Sequence, residues 1–78
     1  MNQFDRITFN PNMMGGRACI RGMRVTVSLI LNLISNGMNT MQIMKEYPYL
    51  EEEDIRQSLQ YAAWLAEEQV QPLEFSPA

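Results

Sequence analysis

The sequence of 78 residues contains no histidine and a single cysteine, Cys19. One thiol makes no disulfide within a chain, and a structural zinc site needs several cysteine or histidine ligands, so we expect no cross-link, no metal and no cofactor. A free cysteine fits a reducing, cytoplasmic compartment. A single domain of this length buries only about 60% of its unfolded surface. Because small domains without cross-links often gain stability from a partner subunit, we expect a homodimer.

Long hydrophobic runs are also missing. The longest, VSLILNLI, is far too short to span a bilayer, and the N-terminal MNQFDRITF lacks the basic head and apolar run of an export signal. These absences predict neither export nor a membrane partner. Seven methionines are present, and they suit either gaps in a core or an adaptable binding surface.

Basic residues are few and unevenly placed. Residues 1–44 carry four arginines against one carboxylate, a net charge of +3, whereas residues 45–78 carry two cations against eight carboxylates, a net charge of −6. Three of the arginines stand in the acid-free segment GGRACIRGMRVTV. The asymmetry predicts an anionic partner for the first half of the chain. The acidic second half argues against nonspecific coating of nucleic acid, which needs a net positive field.

The first third of the chain has the pattern of a short β arm, residues 6–25. A strand at 6–9 ends in the turn cluster Asn-Pro-Asn, and Gly15 and Gly16 allow a second reversal. Residues 18–25 then suit a second strand, with a hairpin around Gly22-Met23 as one option.

Three helices are predicted after the arm, at about 27–36, 40–46 and 52–69. Thr26 is the expected N-cap of the first and Gly37 its C-terminal glycine, and Asn39 with Gln42 has the spacing of a capping box before the second. The apolar positions expected to face inward are Val27, Ile30, Leu31 and Ile34, then Met41 or Ile43 with Met44, and finally Ile55, Leu59, Ala62, Ala63 and Ala66. The fold class is mainly α, a β arm followed by a three-helix bundle resembling a helix-turn-helix in residues 1–70, with Pro72 closing the last helix and a loose tail at 71–78.

Catalysis is not expected from these residues. Glu51 to Asp54 are consecutive in a helix start, where side chains point around the axis and where carboxylates favour the helix dipole. Cys19 has no base to activate it and suits a packed position. We therefore predict a protein that is not an enzyme.

Arg17, Arg21 and Arg24 form the candidate site for a partner or an anion. A two-residue turn at Gly22-Met23 would set Arg21 opposite Arg24, with Arg17 and Cys19 on the same side of the strand. Like charges facing each other destabilise a strand pair, and an anion held between guanidinium groups would remove that cost. The alternative is that the three arginines are solvated residues that keep a sheet edge soluble.

DNA recognition is a second hypothesis for the helix-turn-helix pattern. The third helix begins with four carboxylates, which DNA phosphates would repel. The second helix would instead read bases through Thr40, Gln42 and Lys45, residue types that suit the task but are common.

The run from Gly15 to Ala63 resembles a small bacterial family, domain of unknown function 433. The hallmark of that family reads approximately G-G-[KR]-P-C-I-[RK]-G-T-R-[IV]-P-V, followed by an apolar helix, a glycine turn, a short helix ending in Y-P, and an E-D-[IV]-R helix start. The positions that match are Gly15, Gly16, Cys19, Ile20, Gly22, Arg24, Val27, Gly37, Tyr47, Pro48, Asp54, Ile55 and Arg56.

Four positions depart from the family pattern. Ala18 stands at the place of a proline, Met23 at that of a threonine, and Thr26 at that of a second proline. Thr26 is expected to start the first helix by capping instead. Glu51 replaces a threonine cap, which predicts a weaker start to the last helix.

The resemblance implies a homeodomain-like helical fold and the role of antitoxin to a PIN-like ribonuclease encoded nearby. The active site of such a toxin is a cluster of acidic metal ligands, and an arginine-bearing arm complements it. The competing interpretation is a DNA-binding regulator that recognises operator DNA without a toxin. A dimerisation domain with a purely structural role is the third.

Overall fold

The structure, a computed structural model, describes residues 4–69. The predicted tail at 71–78 and its Pro72 lie outside these residues. The order of elements is β1 (Ile7–Phe9), a single 3₁₀ turn (Met14–Gly16), β2 (Ala18–Ile20), α1 (Val27–Ser35), α2 (Thr40–Glu46) and α3 (Glu52–Gln69). A mainly α fold with a short β arm is therefore confirmed. None of the helices in residues 4–69 is both long and apolar enough to cross a membrane.

The β arm is built around β2. Strand β1 pairs with it antiparallel, with Ile7 opposite Ile20 and Phe9 opposite Ala18. On its other edge, the Ile20 amide donates to the Val25 carbonyl at 2.9 Å, and Cys19 forms a bridge with Thr26. Strand β2 thus lies between two neighbouring segments, and this buries Cys19 in its middle.

The turn predicted at Gly22-Met23 lies one residue earlier in the structure. The Met23 amide donates to the Ile20 carbonyl at 2.7 Å, so Arg21 and Gly22 are the central residues of the turn. Both have positive φ, 46° and 73°, the sign pattern of a type I′ turn. Arg21 consequently lies within the turn and not on a strand facing Arg24, and Cys19 is buried instead of sharing an exposed face with the arginines.

Helix α1 has both predicted ends. The Thr26 hydroxyl accepts from the Leu29 amide at 3.0 Å, which confirms the N-cap at this departure from the family pattern. At the other end Gly37 has φ 99°, and the amides of Gly37 and Met38 donate to the Ile34 and Leu33 carbonyls, the Schellman arrangement.

Helix α2 begins with the predicted capping box. The Asn39 side chain accepts from the Gln42 amide, and the Gln42 side chain accepts from the Asn39 amide, at 2.9 and 2.8 Å. Of the two apolar candidates Met41 and Ile43, it is Ile43 that is fully buried, while Met41 is 72% exposed.

The hydrophobic core receives residues from every strand and helix of the described chain. Ile20, Ile30, Ile43 and Ile55 are at most 1% exposed and come from β2, α1, α2 and α3 respectively. Fully burying a side chain of this size stabilises the fold by about 1.5–3 kcal/mol. The remaining buried apolar residues are Ile7, Cys19, Val25, Val27 and Leu50.

The prediction that an apolar stripe of α3 is buried is largely wrong. Ile55 is buried and Ala62 half-buried, but Leu59, Ala63 and Ala66 are exposed. The face turned to the core carries polar side chains instead: Asp54, Gln57 and Ser58 are buried. Buried polar groups are stable only where they are hydrogen-bonded, and all three have partners.

The N-cap of α1 is open to a direct test by substitution. We expect Thr26→Ala to lower the free energy of unfolding by about 1 kcal/mol, the usual effect of deleting a cap. Thr26→Ser keeps the hydroxyl and should retain most of the stability, as measured by urea denaturation. Equal losses in both variants would show that the buried methyl group matters and the cap does not.

Candidate functional site

Asp54 is the most highly connected side chain in the described structure. Its carboxylate is 0% exposed. Oδ1 accepts from Arg6 Nη1 at 2.9 Å and Arg21 Nε at 3.0 Å, and Oδ2 accepts from Arg21 Nη2 at 2.7 Å and the Glu51 amide at 2.8 Å. A carboxylate has about four lone-pair sites, and all are used.

Arg21 binds Asp54 through two parallel hydrogen bonds, the strongest geometry for this pair. Its Nη2 also donates to the Tyr49 carbonyl at 2.9 Å, in the loop between α2 and α3. Its own amide donates to the Arg6 carbonyl at 2.7 Å. One arginine therefore connects its own turn to the residue before β1, to the loop and to the start of α3.

Arg6 and Gln57 complete the connection between β1 and α3. Arg6 Nη1 donates to Glu51 Oε1 at 2.7 Å as well as to Asp54. The Arg6 amide donates to Gln57 Oε1 at 3.1 Å, and Gln57 Nε2 donates to Asp5 Oδ1 at 2.9 Å. Residues adjacent in the sequence, Asp5 and Arg6, are thus tied to the first turns of α3 through both backbone and side chains.

The electrostatics of the network favour the ionised carboxylate. Burial would raise the pKa of Asp54, but hydrogen bonds from Arg21, the Glu51 amide and Arg6 outweigh it, and the pKa lies below its ordinary value. The hydrogen bond from Arg21 to Asp54 likewise raises the pKa of Arg21. Both groups are therefore charged at neutral pH.

The three candidate arginines of the sequence do not form one cluster of equivalent groups. Arg21 is bound by Asp54, which lies 33 positions away in the chain. Arg17 and Arg24 are exposed, and within residues 4–69 neither has an ion-pair partner. The carboxylate that relieves Arg21 belongs to the chain itself, and Arg17 and Arg24 remain as available cations.

The three candidate DNA-reading residues lie on α2. Lys45 is exposed and, among the described residues, has no ion-pair partner. Thr40 is half-buried, and the Gln42 side-chain oxygen is held in the capping box. Of the three candidates, Lys45 is therefore the one least restricted by the fold.

The residues predicted to be structural occupy turns and the core. Gly15 and Gly16 form the 3₁₀ turn with positive φ, and the Gly22 amide donates to Thr8 Oγ1 at 2.9 Å. Pro48 directly follows Tyr47, the C-cap of α2. Cys19 is a buried free thiol. The part of the chain that the structure describes contains no group of three residues suited to hold a metal ion.

Arg6 and Gln57 are the site residues that sequence reasoning missed, and Asp54 was assigned only to the helix start. That assignment is correct as far as it goes, because Asp54 accepts from the Glu51 amide as an N3 residue does in a capping box. A signal for the larger role was present in the family resemblance, where Asp54 stands in a motif position. Nothing in the local pattern indicates its pairing with Arg6 and Arg21.

Comparison with known proteins identifies the family. The family model described as protein of unknown function (DUF433) matches residues 7–62, and the chain belongs to this family. The fold is similar to the crystal structure of a DUF433 member protein from Anabaena variabilis, with a TM-score of 0.74 and 27% sequence identity. The match covers 81% of this chain and 62% of that one, so this chain spans less than two thirds of that relative. No curated protein matches the sequence.

The Asp54 network predicts how stability depends on pH. A carboxyl whose pKa is lowered by folding stabilises the protein fully above its unfolded pKa, near 3.9, and the stabilisation is lost as the pH falls through the folded value. We expect the free energy of unfolding, measured by urea denaturation, to decline below about pH 4.

Substitution of Asp54 tests the same network at neutral pH. We expect Asp54→Asn to lower the free energy of unfolding by about 3 kcal/mol. This is the lower end of the range for breaking a buried ion pair, because both arginines retain access to water. Glu51→Gln breaks the more exposed ion pair with Arg6 and is the matched control, with an expected loss of at most about 1 kcal/mol. Similar losses in the two variants would contradict a special role for Asp54.

Proposed function

We propose that this protein is a non-enzymatic binding module, the antitoxin that neutralises a PIN-like ribonuclease. The observation that carries the proposal is the division of the arginines. Arg6, Arg21 and Arg56 are each ion-paired, whereas Arg17 and Arg24 are exposed without an ion-pair partner in residues 4–69. Two free guanidinium groups on an acid-free segment suit a partner rich in carboxylates.

The arm that carries these two arginines is firmly held. Arg17 directly precedes β2 and Arg24 follows the turn, while Arg21 between them is bound to Asp54 by two hydrogen bonds. Side chains presented from a fixed backbone lose less entropy on binding than those on a mobile loop. Arg21 therefore supports the proposed surface, and Arg17 and Arg24 contact the partner.

The chemistry of the partner follows from these contacts. The resemblance implies a PIN-like toxin, whose acidic metal-binding residues attract and align guanidinium groups. Blocking such a site requires only complementary charge and shape, and no reactive group on the antitoxin. The overall acidity of the chain restricts the attraction to the arm.

The proposal predicts separate roles for the arginines. We expect the double variant Arg17→Glu/Arg24→Glu to bind the co-encoded PIN-like protein about 100-fold less tightly or worse, because like charges then face each other. Its unfolding midpoint should stay close to that of the wild type. Lys45→Glu, a reversal of an exposed cation on α2, is the matched control and should leave toxin binding unchanged.

The measurement begins with a tagged pull-down from the native host after nuclease treatment, followed by titration calorimetry with the retained protein. Full binding by the double variant would overturn the proposal. If no protein is retained and a specific DNA fragment is recovered without nuclease, the regulator interpretation with Lys45 on α2 replaces it. Affinity for DNA would then fall with salt by a logarithmic slope of about −0.9 per phosphate contact.

A further inference from the structure

A groove between α1 and α3 is lined mainly by apolar side chains. Its volume of about 540 Å³ is within the range of sites that hold ligands in proteins. Val27 and Leu31 line it from α1 and Leu65 from α3, and of these Val27 is buried and the two leucines are half-buried. Ala18 and Ala62 also line the groove, and their small side chains leave open the space that larger residues would fill.

One cation stands at this groove. Among the described residues that line it, Arg17 alone is charged, and it is exposed without an ion-pair partner in residues 4–69. Two carboxylates of α3, Glu53 and Glu67, line a separate surface together with Arg56. The groove therefore suits an occupant with an apolar body and one negative charge, because the apolar part contacts the walls and the anion pairs with Arg17.

We propose that the groove and Arg17 bind one segment of the partner, in which an apolar side chain enters the groove and a neighbouring carboxylate pairs with Arg17. The partner is the PIN-like protein of the proposed function, on which this inference rests. The two available arginines then act separately. Arg17 works together with the groove, whereas Arg24, which is not among the lining residues, pairs with a different carboxylate.

Burial of apolar surface is what the two arginines alone do not provide. Ion pairs between exposed groups contribute little to affinity, because water solvates them and salt screens them. The contacts that dominate protein interfaces lie in desolvated pockets with polar groups around them. A partner side chain in the groove excludes water beside Arg17 and so strengthens the ion pair. Affinity should therefore depend on the groove and Arg17 jointly.

Filling the groove tests the inference with the partner itself. Ala62→Leu should raise the dissociation constant of the PIN-like protein by about tenfold or more in titration calorimetry, because the added side chain occupies the space. Ala63→Leu, the same change at an exposed position on the separate surface, is the matched control and should bind like the wild type. If Ala62→Leu keeps full affinity while Arg17→Glu/Arg24→Glu loses it, the inference is overturned and the proposed function stands.

Combined substitutions show whether Arg17 and the groove form one contact. Residues that share a contact have non-additive effects, whereas distant ones add in free energy. Arg17→Ala with Ala62→Leu should weaken partner binding by less than the product of the two separate fold-changes, since either substitution already disrupts the same contact. Arg24→Ala with Ala62→Leu should give the full product. The same result for both arginines would contradict their separate roles.

A fluorescent dye tests the groove without the partner. Anilinonaphthalene sulfonate has an apolar ring system and one anionic group, and Arg17→Ala or Ala62→Leu should each weaken its binding by about tenfold. Arg24→Ala and Ala63→Leu are the controls and should bind the dye like the wild type. Equal dye binding by Arg17→Ala and Arg24→Ala would overturn the inference, even if Ala62→Leu fails to fold. The expected dye binding with no PIN-like protein retained from the host would support the chemistry of the groove and overturn only the proposed function.

Discussion

The hydrogen bonds to the buried carboxylate of Asp54 are the interaction on which this fold depends. A charge removed from water is costly, and it is tolerated here because four donors from three separate parts of the chain surround it. Those donors belong to the residue before β1, the turn after β2 and the residue before α3. The β arm packs on the helices through Ile7 and Ile20 as well, but apolar contacts are not directional, and the carboxylate specifies where the arm lies.

Pairing with the buried carboxylate also distinguishes the arginines from one another. Arg6 and Arg21 form ion pairs with the buried carboxylate, whereas Arg17 and Arg24 form no ion pair within residues 4–69. Arg21 adopts a positive φ that is unfavourable for a residue with a side chain, and its two hydrogen bonds to Asp54 offset that cost. A segment that looks uniformly basic in sequence is therefore divided between internal stabilisation and an available surface.

Helix α3 reverses the usual distribution of polarity. Its first two turns bury Asp54, Gln57 and Ser58, while Leu59 and Trp64 further along the helix are 44% and 40% exposed. Hydrogen bonds make the first arrangement stable, and the second leaves apolar surface exposed. The α3 residues predicted to be buried do follow helical spacing, but the pattern alone does not say whether other parts of the chain cover them.

Local features of this protein follow from the sequence by itself. The Thr26 cap, the Asn39–Gln42 capping box, the glycine end at Gly37 and the bounds of the helices depend on residues within a few positions of one another, and the physics of helix ends decides them. The turn at Arg21-Gly22, the burial of Asp54 and the exposure of Leu59 were decided only by the tertiary structure. Each depends either on contacts between groups more than thirty residues apart or on how closely other elements pack beside a helix. A local sequence pattern contains neither kind of information.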